Sequence, residues 1–238
     1  MKKIKYLQIQ FQEEITAEEL PKFRGAVIDA ASRENILFHN HIDDNFRYAY
    51  PLIQYKRIGK RPAIVCLEQG TEEIHAFFSR PNTILRLGNR AISCQIDRLY
   101  LNEITLQTWD KTFEYKIEKW LAVKDENFHN YTALETEVER QLFLARMLTG
   151  NIMSMAKGIG WTVTAPIEVK IQHIERERKI QYKNTRLSAF DVTFSCNVSL
   201  PNFIGLGKSS AMGFGVVRKK PLYSSPKKGE ERKIGIIN

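Results

Sequence analysis

His39 and His41 stand two residues apart, with Asn40 between them. If the stretch is extended, both imidazoles leave one face of the strand. Histidine exchanges protons near neutral pH, so such a pair suits general acid and general base work on a phosphodiester. RNA carries its own nucleophile, the 2′-hydroxyl. A protein that uses it need only take that proton, steady the charge on the phosphorane oxygens and protonate the departing 5′-oxygen, with no metal required. Two other readings stay open. The histidines could be hydrogen-bonded for structure, or they could bind zinc together with Asp43, although no further histidine or cysteine follows at a usual spacing. His75, His129 and His173 have no companion and read as surface or structural residues.

A second stretch, Gly205-Leu206-Gly207-Lys208-Ser209-Ser210-Ala211-Met212-Gly213-Phe214-Gly215, packs four glycines around one lysine. Gly205, Gly207, Gly213 and Gly215 predict backbone that turns through positive φ, lies against another backbone, or offers N–H groups to an anion such as an RNA phosphate, with Lys208 adding charge. The bland alternative is a turn between two strands. A nucleotide-binding P-loop is excluded, because Asn202 stands where that fingerprint needs a glycine. Farther back, Arg176, Arg178, Lys179, Lys183 and Arg186 form a basic cluster that reads as a surface for an A-form RNA stem. Glu175 and Glu177 among them also permit a solvated, self-paired strand face.

A net charge of +9 and a pI near 9.4 favour a polyanionic partner, since each cation placed on a phosphate releases counterions. At 43% hydrophobic residues over 238 positions the chain supports a real core. Cys66, Cys94 and Cys196 are too few and too dispersed for a disulfide framework or a thiolate zinc site. No targeting segment and no membrane-spanning apolar run is visible, so the expected location is the cytoplasm, with no membrane partner.

Periodicity predicts the elements that must position these residues. Leu7, Ile9 and Phe11 alternate with glutamines as in a strand. Leu20, Phe23, Val27 and Ala30 or Ala31 repeat as in a helix, whose start stays open between a Thr16–Glu19 capping box and Pro21 in the first turn. Ile36–His39 and Tyr48–Tyr55 read as extended. Arg61–Leu67 reads as a strand behind a turn at Ile58–Lys60, and Thr71 as the cap of a short helix presenting Ile74, Phe77 and Phe78. Extended pieces continue from Ile92 to Leu106, and Phe113, Tyr115 and Ile117 mark another strand.

The strongest helix is expected to open on a Thr132–Glu135 capping box. Its stripe is Leu134, Val138, Leu142, Ala145, Leu148, Ile152 and Met155, with Met153 and Met155 as core, and it ends at Lys157-Gly158. Ile167–Ile174 and Leu187–Leu200 predict a long hairpin turning near Asn184, and Phe214–Arg218 the last strand. The order predicts an α+β fold of two tandem ferredoxin-like halves, antiparallel sheets with helices on one face. The C-terminal glycine-rich loop stands in place of the last helix. Residues 1–107 and 108–220 form the two domains, and 221–238 a polar, disordered tail.

Pro201-Asn202-Phe203-Ile204-Gly205-Leu206-Gly207 through Gly213-Phe214-Gly215-Val216-Val217 resembles the C-terminal signature of the repeat-associated RNA-binding proteins of CRISPR systems. In particular it resembles that of the family-six CRISPR-associated endoribonucleases. Arg24-Gly25, His39-Asn40-His41 and Arg47-Tyr48-Ala49-Tyr50-Pro51-Leu52-Ile53-Gln54-Tyr55-Lys56 are similar, in order and spacing, to the N-terminal pattern of its b-type branch. The resemblance covers nearly the whole chain. It implies a metal-independent endoribonuclease that cuts precursor CRISPR RNA within its repeats, with His39 and His41 catalytic and no cofactor. Tyr48 falls where the b-type pattern has a tyrosine able to donate to a phosphate oxygen or orient a histidine; a core strand aromatic is the alternative. The family often has a lysine ahead of the histidines, whereas here Arg33 or Arg47 must supply the cation. The implied partner is CRISPR repeat RNA, precursor and product, while effector-complex subunits and a homodimer stay open. The alternative function on the same fold is a noncatalytic RNA-binding subunit of a CRISPR effector complex.

Overall fold

The computed structural model describes residues 1–31, 36–39, 41–42, 45–46, 50–79, 84–123, 125–182 and 185–220. The expected tail at 221–238 lies outside them. In the first half, chain order runs β1 (Lys2–Phe11), α1 (Leu20–Ala31), α2 (Ile36–His39), β2 (His41–Ile42), β3 (Asn45–Phe46), β4 (Ile53–Ile58), β5 (Arg61–Leu67), α3 (Gly70–Glu73), α4 (His75–Phe78), β6 (Ile84–Leu87), β7 (Arg90–Ser93) and β8 (Ile96–Leu106). The second half holds β9 (Thr108–Trp120), α5 (Asp125–Thr132), α6 (Glu137–Gly158), β10 (Val169–Tyr182), β11 (Thr185–Val198) and β12 (Val216–Lys219).

Two antiparallel four-stranded sheets result, ordered β4-β5-β1-β8 and β10-β11-β9-β12. In both, the first strand of the half lies between the third and the last main strand, the ferredoxin-like order. The second half has no helix between β11 and β12, only a short 3-10 turn at Ser210–Met212 inside the glycine stretch. One core holds Phe11, Phe23, Val27, Phe38, Tyr55 and Phe77 between the first sheet and its helices. A larger one joins Tyr6, Tyr50 and Leu67 of the first half to Tyr115, Trp120, Leu148 and Phe194 of the second. No described helix is long and apolar enough to cross a membrane.

Several local expectations are corrected. Ile36–His39 is a helical turn rather than extended, because Phe38 is buried in the core and Tyr55 Oη donates to its carbonyl at 3.3 Å. A run of four apolar and aromatic residues carries no period that could distinguish the two. Thr71 lies inside α3 and its hydroxyl donates to Glu68 O, so it is not the cap. The long helix opens on a Thr136–Glu139 capping box, not Thr132–Glu135, which leaves Thr132 at the end of α5. Its buried face is Leu144, Leu148, Ile152, Met155 and Ala156, while Val138, Leu142 and Met153 are 63%, 57% and 45% exposed. α6 does end at Lys157-Gly158 as expected, and the chain then turns away through left-handed Gly160. Gly158 is the last helical residue, and glycine is needed there because a Cβ would run into the Tyr50 side chain.

The two candidate caps are separable by experiment. Thr136→Ala should cost about 1 kcal/mol of unfolding free energy, and Thr132→Ala clearly less, as read from urea unfolding monitored by circular dichroism.

Candidate functional site

The histidine segment is an insert between α1 and β4. His39 closes α2 and His41 opens β2, whose register pairs His41 with Phe46 of β3. The two backbones therefore sit on either side of a helix-to-strand change, not along one extended run. Buried Phe38 anchors α2, and the fully buried Tyr55 of β4 ties it down through the hydrogen bond to Phe38 O. The Arg24 guanidinium lies 5.8 Å from the Tyr55 ring. Tyr48, Arg33 and Arg47 lie outside the described residues, as does Asp43 of the alternative zinc set. Among the described residues no three His, Cys, Asp or Glu side chains form a metal-binding group.

Strand period places Gln54 and Lys56 on the face of β4 opposite Tyr55, and there they hold the glycine loop. Gly205 N–H donates to Gln54 Oε1 at 2.8 Å, Tyr50 Oη donates to Gly205 O at 2.9 Å, and Lys56 Nζ donates to Ser210 O at 2.6 Å. Gly215 N–H donates to Lys119 O, and Leu206 N–H to Gly215 O. The amides of Gly205 and Gly215 are thus buried and committed to protein acceptors, so they are not free to hold RNA. The glycines serve close approach instead. A Cβ on Gly207, at φ +85°, would stand 2.9 Å from both Trp120 Nε1 and Asn151 Oδ1, and one on Gly213, at φ +78°, 2.6 Å from Leu20 Cδ2. Lys208 is the exposed member of the loop.

Beside the loop a cleft of about 340 Å³ opens between the halves, with Arg57, Lys119, Arg178 and Arg218 among its walls. Sequence reasoning missed all of these but Arg178, because no periodicity marks them. Lys119 takes a left-handed φ of +51° at an irregularity where β9 slips against β11. Asp191 accounts for that geometry: one oxygen accepts Lys119 N–H at 2.7 Å and Arg178 Nη2 at 3.0 Å. Arg218 pairs with Glu118 at 2.8 Å.

The hairpin cluster divides. Arg176 is exposed, Arg178 is paired to Asp191, and Lys179 donates to Ser188 Oγ with its ammonium 3.4 Å from the Phe128 ring centroid. Lys183 lies outside the described residues; Arg186 lies in β11, where only its backbone is described. Glu175 pairs with Lys116 and Thr193, and Glu177 accepts from Tyr131, so neither acid neutralises the cluster itself.

Two ferredoxin-like halves meeting over a glycine loop define a fold shared with Cas6 structures. The CRISPR-Cas type IV Cas6 crRNA endonuclease Csf5 superposes on it with a TM-score of 0.56 at 12% identity, covering 92% of this chain and 100% of that one. The Cas6b N-terminal domain matches residues 2–105 and the Cas6b C-terminal domain residues 107–220, and the chain belongs to the Cas6b family. A crystal structure of Cas6b is similar at 27% identity and a TM-score of 0.84, covering 92% of this chain and 100% of that one. A crystal structure of the CRISPR RNA processing endoribonuclease Cas6b matches at 25% identity and a TM-score of 0.70, with the same coverage of both chains. An uncharacterized protein of Methanocaldococcus jannaschii is 30% identical over 109 residues, 45% of this chain and 73% of that one.

Burial alone pulls Lys56 down from the usual lysine range to about 7. The unfolded chain holds that proton up to about pH 10.5, so between about 7 and 10.5 it carries more protons than the folded one and stability rises with pH. Urea unfolding at pH 7, 8 and 9 should show this rise. Lys56→Met should remove up to about 1.4 kcal/mol of it per pH unit.

Proposed function

We propose that this protein is a metal-independent endoribonuclease that cuts precursor CRISPR RNA within its repeats to give mature guide RNAs. One of His39 and His41 takes the proton of the 2′-hydroxyl and the other protonates the departing 5′-oxygen, leaving a 2′,3′-cyclic phosphate and a 5′-hydroxyl. Tyr48 donates to a phosphate oxygen or orients a histidine, and Arg33 or Arg47 balances the phosphorane charge. The observation that carries this reading is the common mounting of the two functional regions. The His39–His41 segment is tied through Phe38 to one face of β4, and the glycine loop beside the basic cleft to the other. RNA lying in the cleft against Lys119, Arg57 and Lys208, with Arg176 of the hairpin contacting the stem, brings its backbone to the strand that positions the histidines. Membership of a family with a solved CRISPR RNA processing endoribonuclease supports the substrate. The protein acts in the cytoplasm.

The test is single-turnover cleavage of the protein's own repeat RNA in EDTA. Cleavage should survive chelation, and His39→Ala or His41→Ala should slow it by roughly two to four orders of magnitude with little change in affinity. Activity lost in EDTA and restored by zinc or magnesium would overturn metal independence. RNA binding with no cutting by the wild-type protein would favour the noncatalytic subunit.

Lys208 gives a separate test of the binding surface. Lys208→Ala should leave the melting temperature unchanged, weaken repeat binding and lower the slope of log affinity against log salt by about 0.7 to 0.9, one phosphate contact. A wild-type slope would remove Lys208 from the interface.

A further inference from the structure

Away from the cleft and the histidines, the N-terminal end of β9 carries a second arrangement of rings and cations. Trp109 and Phe113 meet edge to face with centroids 6.2 Å apart. The Lys111 ammonium lies 5.4 Å from the Trp109 ring and 5.3 Å from the Phe113 ring. Lys219, from the edge strand β12, brings a second ammonium to 5.2 Å from the same Phe113 ring. Its position is fixed by the ladder: Lys219 is in register with Tyr115, and the next residue, Lys220, donates its N–H to Glu114 O. Trp109 and Lys111 line a hollow of about 760 Å³ that also holds Asp110, Glu168 and Asn197, and Phe113 and Lys219 stand beside it.

Two features of this cluster are unfavourable for the protein alone. Two like charges are drawn to one phenyl ring, and neither lysine forms an ion pair among the described residues, although Asp110 and Glu168 line the hollow. The Trp109 indole N–H is buried with no acceptor among the described residues. An anion between the ammoniums would relieve their repulsion, and a flat group on the indole would use its face. A nucleotide joins both properties in one molecule, and alternating aromatic and basic side chains are how proteins hold single-stranded nucleic acid without reading its sequence.

We propose that Trp109, Lys111, Phe113 and Lys219 form a stacking site for one nucleotide of single-stranded RNA, separate from the cleavage site, holding unpaired RNA that flanks the cut repeat. The phosphate sits between Lys111 and Lys219, and the base stacks on Trp109. This inference rests on the RNA-processing reading above.

Trp120 and Trp161 are buried, so Trp109 is the half-exposed tryptophan of the three in the chain. Titrating a short oligoadenylate, and then the repeat RNA with its single-stranded flank, should quench tryptophan fluorescence in the wild-type protein but not in Trp109→Phe. The double variant Lys111→Ala/Lys219→Ala, checked for a wild-type melting temperature, should bind the flanked repeat about tenfold more weakly. It should also lower the salt slope by about 0.7 for the lost phosphate contact. Quenching that persists in Trp109→Phe, or a double variant with wild-type affinity and slope, overturns the stacking site and leaves the cleavage reading standing. Quenching by a polyglutamate peptide but not by RNA also overturns it, in favour of an acidic protein partner. A wild-type protein that neither binds nor cuts repeat RNA overturns both readings together.

Discussion

The hydrogen bond from Lys56 Nζ to Ser210 O joins residues 154 positions apart and buries a lysine amine where the two halves meet. Taking a charge out of water is costly, which is why burial favours the neutral amine, with the Ser210 carbonyl accepting its N–H. The bond persists because β4 cannot turn Lys56 away without turning Tyr55 and Ile53 out of the first core, since neighbouring residues of a strand face opposite sides. Tyr50 and Gln54 reinforce it by closing on Gly205 from both its carbonyl and its amide. One short strand thereby sets the position of α2 on one side and of the glycine loop on the other.

The glycine loop owes its composition to this crowding. Three neighbours, Trp120, Asn151 and Leu20, come from three different elements and leave no room for a Cβ. The loop buries Gly205, Leu206, Ser210 and Gly215, keeps the other residues between them half-buried, and exposes Lys208. The basic residues around it are likewise held by protein partners: Asp191 fixes both the unusual backbone of Lys119 and the head of Arg178, and Arg57 Nε donates to Ile15 O at 2.6 Å. A cleft whose cations are oriented in advance loses little side-chain freedom when an anion arrives.

How much of this could be read from the chain depends on the range of the forces involved. Strict alternation at Phe190, Val192, Phe194, Cys196 and Val198 is a local signal, and β11 carries it with all five side chains buried. Arg61–Leu67 is likewise a strand to the residue. Local patterns failed where two were equally good. Thr132–Glu135 and Thr136–Glu139 fit one capping rule, and only the turn of chain after α5 decides between them. The apolar stripe through Val138 and Leu142 is real in the sequence, but Leu142 lies about 200° round the helix from buried Leu144, on the side of α6 that is exposed. The His39–His41 spacing was visible, whereas the helix-to-strand break between them was not, because it depends on Tyr55, which lies 17 residues from Phe38. The glycine run announced itself as special; that its partners would be Gln54, Tyr50 and Lys56 is a fact of tertiary packing with no trace in local sequence.

Only Gln107 separates the end of β8 from the start of β9, and Leu106 before it is fully buried. A connector of one residue between strands of two different sheets has little slack, and the shared core across the halves restrains rotation further. The two walls of the cleft are therefore joined by a short link and by a common core. Whatever enters the cleft meets cations already set by Asp191, Glu118 and Ile15, so its own shape has to match theirs.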